Sequence, residues 1–226
     1  MYEPPPPLGS EENPGTCCKD ILDNRVWQGA PTSGTFWVKP PGYSSQKIFC
    51  DQETEGGGWN MVVKSCLQYT DGGGKYRGWG SHQGDNKYNQ NDISEWACDG
   101  EKGGKLADGH INNLWTASEA FGSGHGDDLM CKSVKDNQWV WTTNANGGNF
   151  VWKIDGYSFT SGTTRASDKG GTRSTSYPNN NYFGWWTADS QSGCSCWSGD
   201  GDPMGCTTRT NGRNWESDEH THYLIR

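Results

Sequence analysis

Nine cysteines scattered along the 226-residue chain constrain its fold more than any other feature. They are Cys17, Cys18, Cys50, Cys66, Cys98, Cys131, Cys194, Cys196 and Cys206. This wide scatter favours a disulfide framework formed in an oxidising compartment, so we expect a secreted, extracellular protein. The alternative is a set of free thiols in a cytosolic protein, which the richness in Gly, Asn and Trp disfavours. Closing a loop of about thirty residues would stabilise the fold by roughly 3–4 kcal/mol in the chain-entropy model.

Because nine is an odd number, one thiol is left over if the others pair. Intermolecular pairing is the natural use for such a thiol. We therefore expect a homo-oligomer, joined through a spare cysteine such as Cys17.

Aromatic residues compensate for a low apolar content of 31%. The chain has 13 Trp, 9 Tyr and 6 Phe, which argues against disorder because disordered segments are poor in aromatics. A large aromatic side chain buries on the order of 150–250 Å². We predict a small, aromatic core.

The formal net charge of −8 disfavours nucleic acid as a partner, because no basic patch is present to neutralise phosphates. Clustered carboxylates are compatible with bound divalent cations. No apolar run is long enough to span a bilayer, and no signal peptide is present, with Met1–Ser10 interpreted as a trimmed start.

Two regions are predicted. Residues 1–16 are rich in Pro and Gly and indicate a linker or a cloning remnant, extended at Pro4–Pro7 and flexible at Gly9–Gly15. Residues 17–226 are expected to form one domain, since nothing inside them resembles a linker.

Local patterns predict few regular elements. A short helix is expected over Cys18–Asp23, with Asp20 available as a cap, and a longer one over Lys105–Trp115, which Asp108 could cap. The strands are predicted at Gly34–Lys39, Lys47–Cys50, Asn60–Lys64, Gln138–Trp141, Asn149–Ile154 and Tyr223–Arg226. The first two suggest a hairpin whose end is tied back to Cys17 or Cys18.

The run from Cys18-Lys-Asp-Ile-Leu22 through Gly34–Val38, Ile48–Asp51 and Glu53-Thr-Glu-Gly-Gly-Gly-Trp59 resembles the opening subdomain of fibrinogen-related domains and of intelectins, which are animal lectins. The resemblance implies a disulfide from Cys50 to Cys17 or Cys18. It also implies an α+β, fibrinogen C-terminal-like fold with small twisted sheets, few helices, many loops and several disulfides. In that fold the C-terminal region carries calcium and ligand sites.

Gly184-Trp-Trp186 is similar to the Gly-Trp-Trp of the same family, which lies close to its ligand pocket. The acidic pair that the family places before this motif is absent, because Tyr177-Pro-Asn-Asn-Asn181 stands there. In this chain an acidic pair, Asp200-Gly-Asp202, follows the motif instead. The calcium positions of the family are therefore not transferred residue by residue.

Asp200 and Asp202 are the first metal candidates, because alternate aspartates and free carbonyls in a Gly-rich turn can supply the oxygen ligands that calcium prefers. A disulfide from Cys206 to Cys194 or Cys196 would fix this loop. A solvated turn explains the same residues. The weaker candidates are Asp85, Asn89 and Asp92, followed by Asp127 and Asp128.

The stretch from Asn214 to His222 combines carboxylates with histidines. If it is extended, His220 and His222 lie on one face, and with Glu216 and Asp218 they could bind a metal or a polyol. Trp197, Trp215 or Trp186 could pack on a sugar ring. The alternative is that Trp215 belongs to the core and that the histidines are satisfied strand residues.

Other site chemistries find less support. A zinc site built from Cys194, Cys196, Cys206 and the two histidines has no standard spacing. The sequence has no nucleophile elbow, His-Glu-x-x-His motif, phosphate-binding loop or dinucleotide fingerprint, so we expect a non-enzyme. Asp200 and Glu216 would be the pair to suspect in a glycoside hydrolase, but Gly-rich solvated surroundings would not raise the pKa of an acid.

The leading hypothesis from the sequence is a calcium-dependent lectin that recognises microbial or self surface glycans, as in innate immunity. The alternative is an extracellular adhesion or structural module that binds protein partners.

Overall fold

The computed structural model describes residues 4–65, 93–97, 104–106, 108–121, 128–133, 139–142, 150–153, 184–188, 192–197, 204–208 and 221–226. The two helices in this part of the chain are α1 (Cys18–Asn24) and α2 (Asp108–Glu119). The strands are β1 (Gly34–Val38), β2 (Gln46–Asp51), β3 (Trp59–Ser65), β4 (Gly104–Lys105), β5 (Leu129–Ser133), β6 (Trp139–Thr142), β7 (Phe150–Lys153), β8 (Gly184–Ala188), β9 (Ser192–Trp197), β10 (Met204–Thr208) and β11 (Thr221–Ile225).

The strands form two antiparallel sheets. The larger one has eight strands in the order β1-β2-β3-β11-β5-β6-β7, with β4 pairing to β3, and the smaller has the order β10-β9-β8. Few helices, antiparallel sheets and a disulfide are compatible with the expected α+β class. One of the two sheets is larger than expected, because β11 lies between β3 and β5 and joins the two halves of the chain.

Strand β11 is the centre of the large sheet and of the core. Tyr223, Leu224 and Ile225 have no exposed surface, as predicted for a final core strand. The other fully buried aromatic side chains in the described residues are Trp59 and Trp115, and Trp139 and Trp141 are less than a tenth exposed. The expectation of an aromatic core is confirmed for this part of the chain.

Helix α1 begins after Cys17, not at Asp20. The Cys17 Sγ accepts a hydrogen bond from the Asp20 N–H at 3.4 Å, which makes Cys17 the N-cap residue. The Asp20 carboxylate reaches back to the N–H and the hydroxyl of Thr16 at 2.8 and 3.0 Å. The two side chains therefore satisfy donors at the helix start in the manner of a capping box.

Two buried amide side chains tie α1 to the sheet. Asn60 accepts from the Cys18 N–H at 2.8 Å and donates to the Ile225 carbonyl at 3.1 Å. Gln52 donates to the Cys18 carbonyl and accepts from the Gly58 N–H, both at 3.0 Å. Because every one of these bonds is buried, together they fix the position of α1 over β3.

The three glycines before Trp59 are required by the backbone. Glu55, Gly56, Gly57 and Gly58 all have positive φ angles, between 47° and 83°. A Cβ on Gly57 would lie 2.3 Å from the Gln52 carbonyl oxygen, and one on Gly58 would lie 2.6 Å from the Lys19 side chain. The turn therefore needs glycine both for its conformation and for its close approach to the chain.

Helix α2 begins at Asp108. The predicted apolar face is confirmed, because Ile111, Leu114 and Trp115 are fully buried. Leu106, expected on the same face, lies before the helix and bonds its N–H to the Val62 carbonyl at 3.0 Å.

His110, in the first turn of α2, is 5% exposed and stacks on Tyr43 with ring centroids 5.0 Å apart. Its Nε2 has no hydrogen-bond partner, and burial lowers the pKa of His110 from 6.5 to about 4. The folded state therefore binds fewer protons than the unfolded state between those two pH values, so His110 destabilises the fold as pH falls from about 6.5 to about 4.

We expect His110→Phe, which keeps the ring on Tyr43 but cannot take up a proton, to remove this loss. The wild type should lose about 2–3 kcal/mol of unfolding free energy across the window in excess of the variant, since one pKa unit corresponds to about 1.4 kcal/mol. Urea unfolding at pH 7, 5.5 and 4.5 measures the difference. Parallel pH profiles of the two proteins would contradict the assignment.

The segment before Cys17 differs from the expected linker. The Gly9 and Gly15 residues are buried, and Gly15 forms a parallel β-bridge with Val38. The Pro4–Pro7 stretch is exposed, as expected of an extended proline run. Gly9 and Gly15 bond to the backbone of β1 and of Lys39, a tertiary contact that short-range Pro and Gly patterns do not report.

Candidate ligand-binding site

The β8–β9–β10 sheet carries the Gly-Trp-Trp motif and three cysteines. Cys194 lies directly opposite Thr187 on one side and Cys206 on the other, whereas Cys196 lies opposite Trp185 and Met204. Residues directly opposite in an antiparallel pair have Cα atoms about 4.5–5.5 Å apart, which is the range that a disulfide needs. Of the two pairings predicted for Cys206, the register favours Cys194.

The same register relates the two tryptophans that the sequence assigns to a ligand. Trp186 pairs with Ser195, and Trp197 pairs with Gly184 at the end of β9. Because side chains alternate along a strand and directly opposite residues share a face, positions 186 and 197 belong to the face opposite the one with the three cysteines. The neighbouring positions on their face are small, being Gly184, Gly193, Ser195 and Gly205.

Most of the predicted metal ligands lie outside the described residues. Asp200 and Asp202 fall in the stretch 198–203 that follows β9 and precedes β10 along the chain. The other predicted site residues outside the described ranges are Glu216, Asp218, Asp85, Asp92, Trp215, His220, Cys66 and Cys98. Among the residues that the structure does describe, no group of three or more His, Cys, Asp or Glu is placed to hold a metal. The calcium site stays a prediction.

His222, predicted as a ligand-binding residue, lies inside the large sheet. It is fully buried in β11, between Lys64 on β3 and Lys132 on β5. Its Nε2 lies 2.7 Å from the Trp96 carbonyl oxygen, and the two rings meet edge to face with centroids 4.7 Å apart. His222 is therefore a buried residue of the sheet whose ring contacts Trp96.

Asp128, one of the weaker calcium candidates, forms an ion pair with Arg226. It is 1% exposed, and its Oδ2 accepts from both Nη2 and Nε of Arg226 at 3.1 and 3.3 Å. In this structure a buried guanidinium neutralises the carboxylate.

Cys17 does not have the surface position that an intermolecular disulfide requires. Its thiol is free and the residue is fully buried, while Cys18 is bonded to Cys50 across 32 positions of sequence. Burial raises the pKa of the Cys17 thiol, which keeps it protonated and unreactive. With Cys17 as the unpaired thiol, the other six cysteines outside the Cys18–Cys50 bond are even in number and need no partner chain.

We expect Cys17→Ser to leave the oligomeric state and the unfolding free energy nearly unchanged, within about 1 kcal/mol, because a serine hydroxyl is a good N-cap acceptor. Light scattering after gel filtration and urea unfolding measure the two properties. If an oligomer of the wild type became a monomer in this variant, Cys17 would be an intermolecular cysteine after all.

A stack of cations and aromatics on the large sheet was not anticipated from the sequence. The Arg226 guanidinium lies 4.2 Å from the Trp59 ring centroid and 5.1 Å from that of Trp141, with Asp128 beside it. Towards the other end of the strands, Lys132 lies 5.3 Å from the Trp96 ring centroid and 2.7 Å from the Asp51 carboxylate. Local patterns gave no signal for these contacts, since the partners come from distant parts of the chain.

Asp51 joins three segments of the chain. Burial alone would raise the pKa of its carboxyl, but the Lys132 charge and the hydrogen bonds from Lys132 and Thr54 lower the pKa overall. The Asp51 carboxylate also accepts the Ser33 hydroxyl at 3.2 Å. Asp51 is 1% exposed, and each of these neighbours donates a hydrogen bond to its carboxylate. Asp51 is therefore a structural carboxylate.

Comparison with known proteins gives one partial similarity. The chain is 36% identical over 69 residues to "Fibrinogen-like protein A" of Apostichopus parvimensis. The matched residues are 29% of this chain and 22% of that protein, so the chain covers about a fifth of the relative. No family model matches the chain. The similarity supports a fibrinogen-related domain and nothing more specific.

Two α-helices lie in the part of the chain that the structure describes. The longer of them, α2, has 12 residues, and neither helix is long and apolar enough to cross a bilayer.

Proposed function

We propose that this chain is an extracellular, calcium-dependent carbohydrate-binding domain whose ligand site lies on the β8–β10 sheet. The observation that carries the proposal is the register that puts Trp186 and Trp197 on one face of this sheet, among small residues. An aromatic ring can pack on the apolar face of a sugar ring. The partial similarity to a fibrinogen-like protein is compatible with a recognition role.

Calcium would be held by the Asp200-Gly-Asp202 segment, which directly follows Trp197 and the end of β9 within three to five positions. Carboxylates two residues apart can supply part of the six to eight or so oxygen ligands that calcium takes. A pair of vicinal sugar hydroxyls would complete the shell. The metal and the ring surface would then bind the polar and the apolar side of the same ligand.

The Cys18–Cys50 disulfide supports secretion, since structural disulfides persist in oxidising compartments. A single shallow sugar site binds weakly, so joining several copies would raise avidity. The burial of Cys17 means that such assembly would use another surface of the domain.

Two variants test the proposal on a glycan array. Asp200→Ala/Asp202→Ala should abolish sugar binding while the unfolding midpoint in EDTA is unchanged, and Trp197→Ala should weaken binding at least about ten-fold, in line with about 1.4 kcal/mol or more of lost stacking. Val26→Ala, at a 90% exposed position outside this sheet, is the control and should bind as the wild type. Full sugar binding by both site variants would sink the proposal.

The second candidate function is an adhesion or structural module that binds protein. Retention of an extracellular protein partner by the Asp200→Ala/Asp202→Ala variant, together with no sugar binding by the wild type, would favour it.

A further inference from the structure

Strand β1 is one edge of the large sheet, and the chain covers this edge with its own N-terminal residues. The segment 7–15, which we call the N-terminal strap, runs along the outer side of β1. The Trp37 N–H donates to the Gly9 carbonyl at 2.9 Å, and the Trp37 carbonyl accepts from the Gly15 N–H at 3.1 Å. The Lys39 N–H donates to the Gly15 carbonyl at 2.7 Å. The strap therefore pairs the outward-facing backbone groups at this end of β1.

The strap is shaped for this position. Its own turns are closed by bonds from the Gly9 N–H to the Asn13 carbonyl at 2.7 Å and from the Ser10 N–H to the Pro7 carbonyl at 3.1 Å. The Asn13 side-chain amide donates to the Pro6 carbonyl at 2.9 Å. These bonds hold the strap in one conformation, so docking costs it less entropy than a flexible linker would lose.

Glycine is needed at both ends of the strap. A Cβ on Gly9, which has φ of +88°, would lie 2.9 Å from the Phe36 ring. A Cβ on Gly15 would lie 2.4 Å from the Ile21 side chain. Any larger residue would push the strap off β1 or force Phe36 and Ile21 to move.

The strand beneath the strap is suited to pairing. Gly34-Thr-Phe-Trp-Val38 has no charged residue and no proline, and it is rich in β-branched and aromatic residues. An uncovered edge of this kind is a template for another strand, and proteins commonly cover such edges with a loop. Two copies of one edge strand can pair antiparallel about a two-fold axis.

We propose that the N-terminal strap is an edge cap, and that displacing it turns β1 into a dimerisation surface for β1 of a second copy of this chain. The occupant is a second copy because the exposed edge would be uncharged and self-complementary. The device is independent of the sugar site, since strap and β1 lie in the large sheet and the tryptophans of the proposed site lie in the other.

Gly15→Val and, independently, Gly9→Val in the full chain test the proposal. At concentrations where monomer prevails, the amide hydrogens of Trp37 and Lys39 should exchange at least about ten-fold faster than in the wild type, because their partners are gone. At higher concentration, light scattering should show twice the mass that the wild type has under the same conditions. Gly34→Ala is the matched control, since its Cβ would meet only the Phe36 ring at 3.8 Å.

A third variant locates the dimer surface. Trp37→Pro added to Gly9→Val removes the outward N–H of β1 and should return the protein to a monomer. Fast Trp37 exchange in a protein that stays monomeric at every concentration would overturn the proposal, as would a dimer that survives Trp37→Pro. If amide hydrogen exchange at Trp37 were unchanged in both glycine variants, the close fit at Gly9 and Gly15 would not be what holds the strap on β1, and the proposal would be overturned.

Discussion

Replacing Arg226 by Leu is expected to lower the unfolding free energy by about 3–5 kcal/mol, since it removes the guanidinium that neutralises the buried Asp128 carboxylate. Arg226 is 4% exposed, and its guanidinium makes four hydrogen bonds, two to Asp128 and one each to the carbonyls of Glu55 and Gly57. It also contacts both the Trp59 and the Trp141 rings, which meet edge to face. Urea unfolding followed by tryptophan fluorescence measures the loss.

A double variant separates the electrostatic effect of the Arg226→Leu substitution on stability from the effect of the changed side-chain shape. Arg226→Leu/Asp128→Leu removes both charges and should recover part of the stability, since a buried ion pair can often be exchanged for apolar residues. Lys19→Gln is the control, because Lys19 and Asp23 form an ion pair nearer the surface of α1 that is worth less than about 1 kcal/mol. If Arg226→Leu cost no more than Lys19→Gln, the stack of cation and aromatics would not hold the sheet together.

Removing the disulfide with Cys18→Ala/Cys50→Ala is expected to cost about 3–4 kcal/mol, because the bond closes a loop across 32 positions of sequence. The bond joins the start of α1 to the end of β2, so its loss frees the hairpin β1–β2 from the helix. Thermal unfolding of the wild type and the variant at pH 7 measures the difference.

Cys17→Ser is the matched control for this variant, since Cys17 is equally buried and adjacent but unbonded. We expect it to unfold within a few degrees of the wild type. If Cys17→Ser were instead destabilised as much as the double-alanine variant, Cys17 and not Cys18 would be the residue bonded to Cys50.

Much of the N-terminal half of the fold could be predicted from local pattern. The helix at Cys18, the hairpin and the strand from Trp59 lie within two residues of their predicted bounds, because apolar alternation and turn residues are short-range signals. The choice between Cys17 and Cys18 could not be made, since adjacent cysteines differ only in which one faces Cys50. The cap role of Cys17 depends on that same rotation of the helix start.

The long-range pairings could not be predicted. Nothing near Arg226 in sequence indicates that it lies over Trp59 and Trp141, or that Asp128 neutralises it. Likewise Asn60 has the sequence context of an ordinary strand residue, yet its side chain connects α1 to β11. Such contacts depend on strand order, which is set by the whole sheet.

The sequence predicted individual residues of the candidate site but not how they lie relative to one another. The Gly-Trp-Trp resemblance pointed to Trp186, and the register of β8 with β9 adds that Trp197 shares its face. Alternation placed His220 and His222 on one face but could not tell whether that face is covered. For His222 the structure answers this, because Trp96 packs on it from a segment 126 residues earlier in the chain.

The most direct test of the account is a glycan array probed with the purified chain in calcium and again in EDTA. The account predicts binding to a defined class of glycans in calcium and its loss in EDTA, with tryptophan fluorescence showing the same folded state in both buffers. Folded protein that binds no glycan in either buffer, or that binds equally well in EDTA, would contradict calcium-dependent sugar recognition.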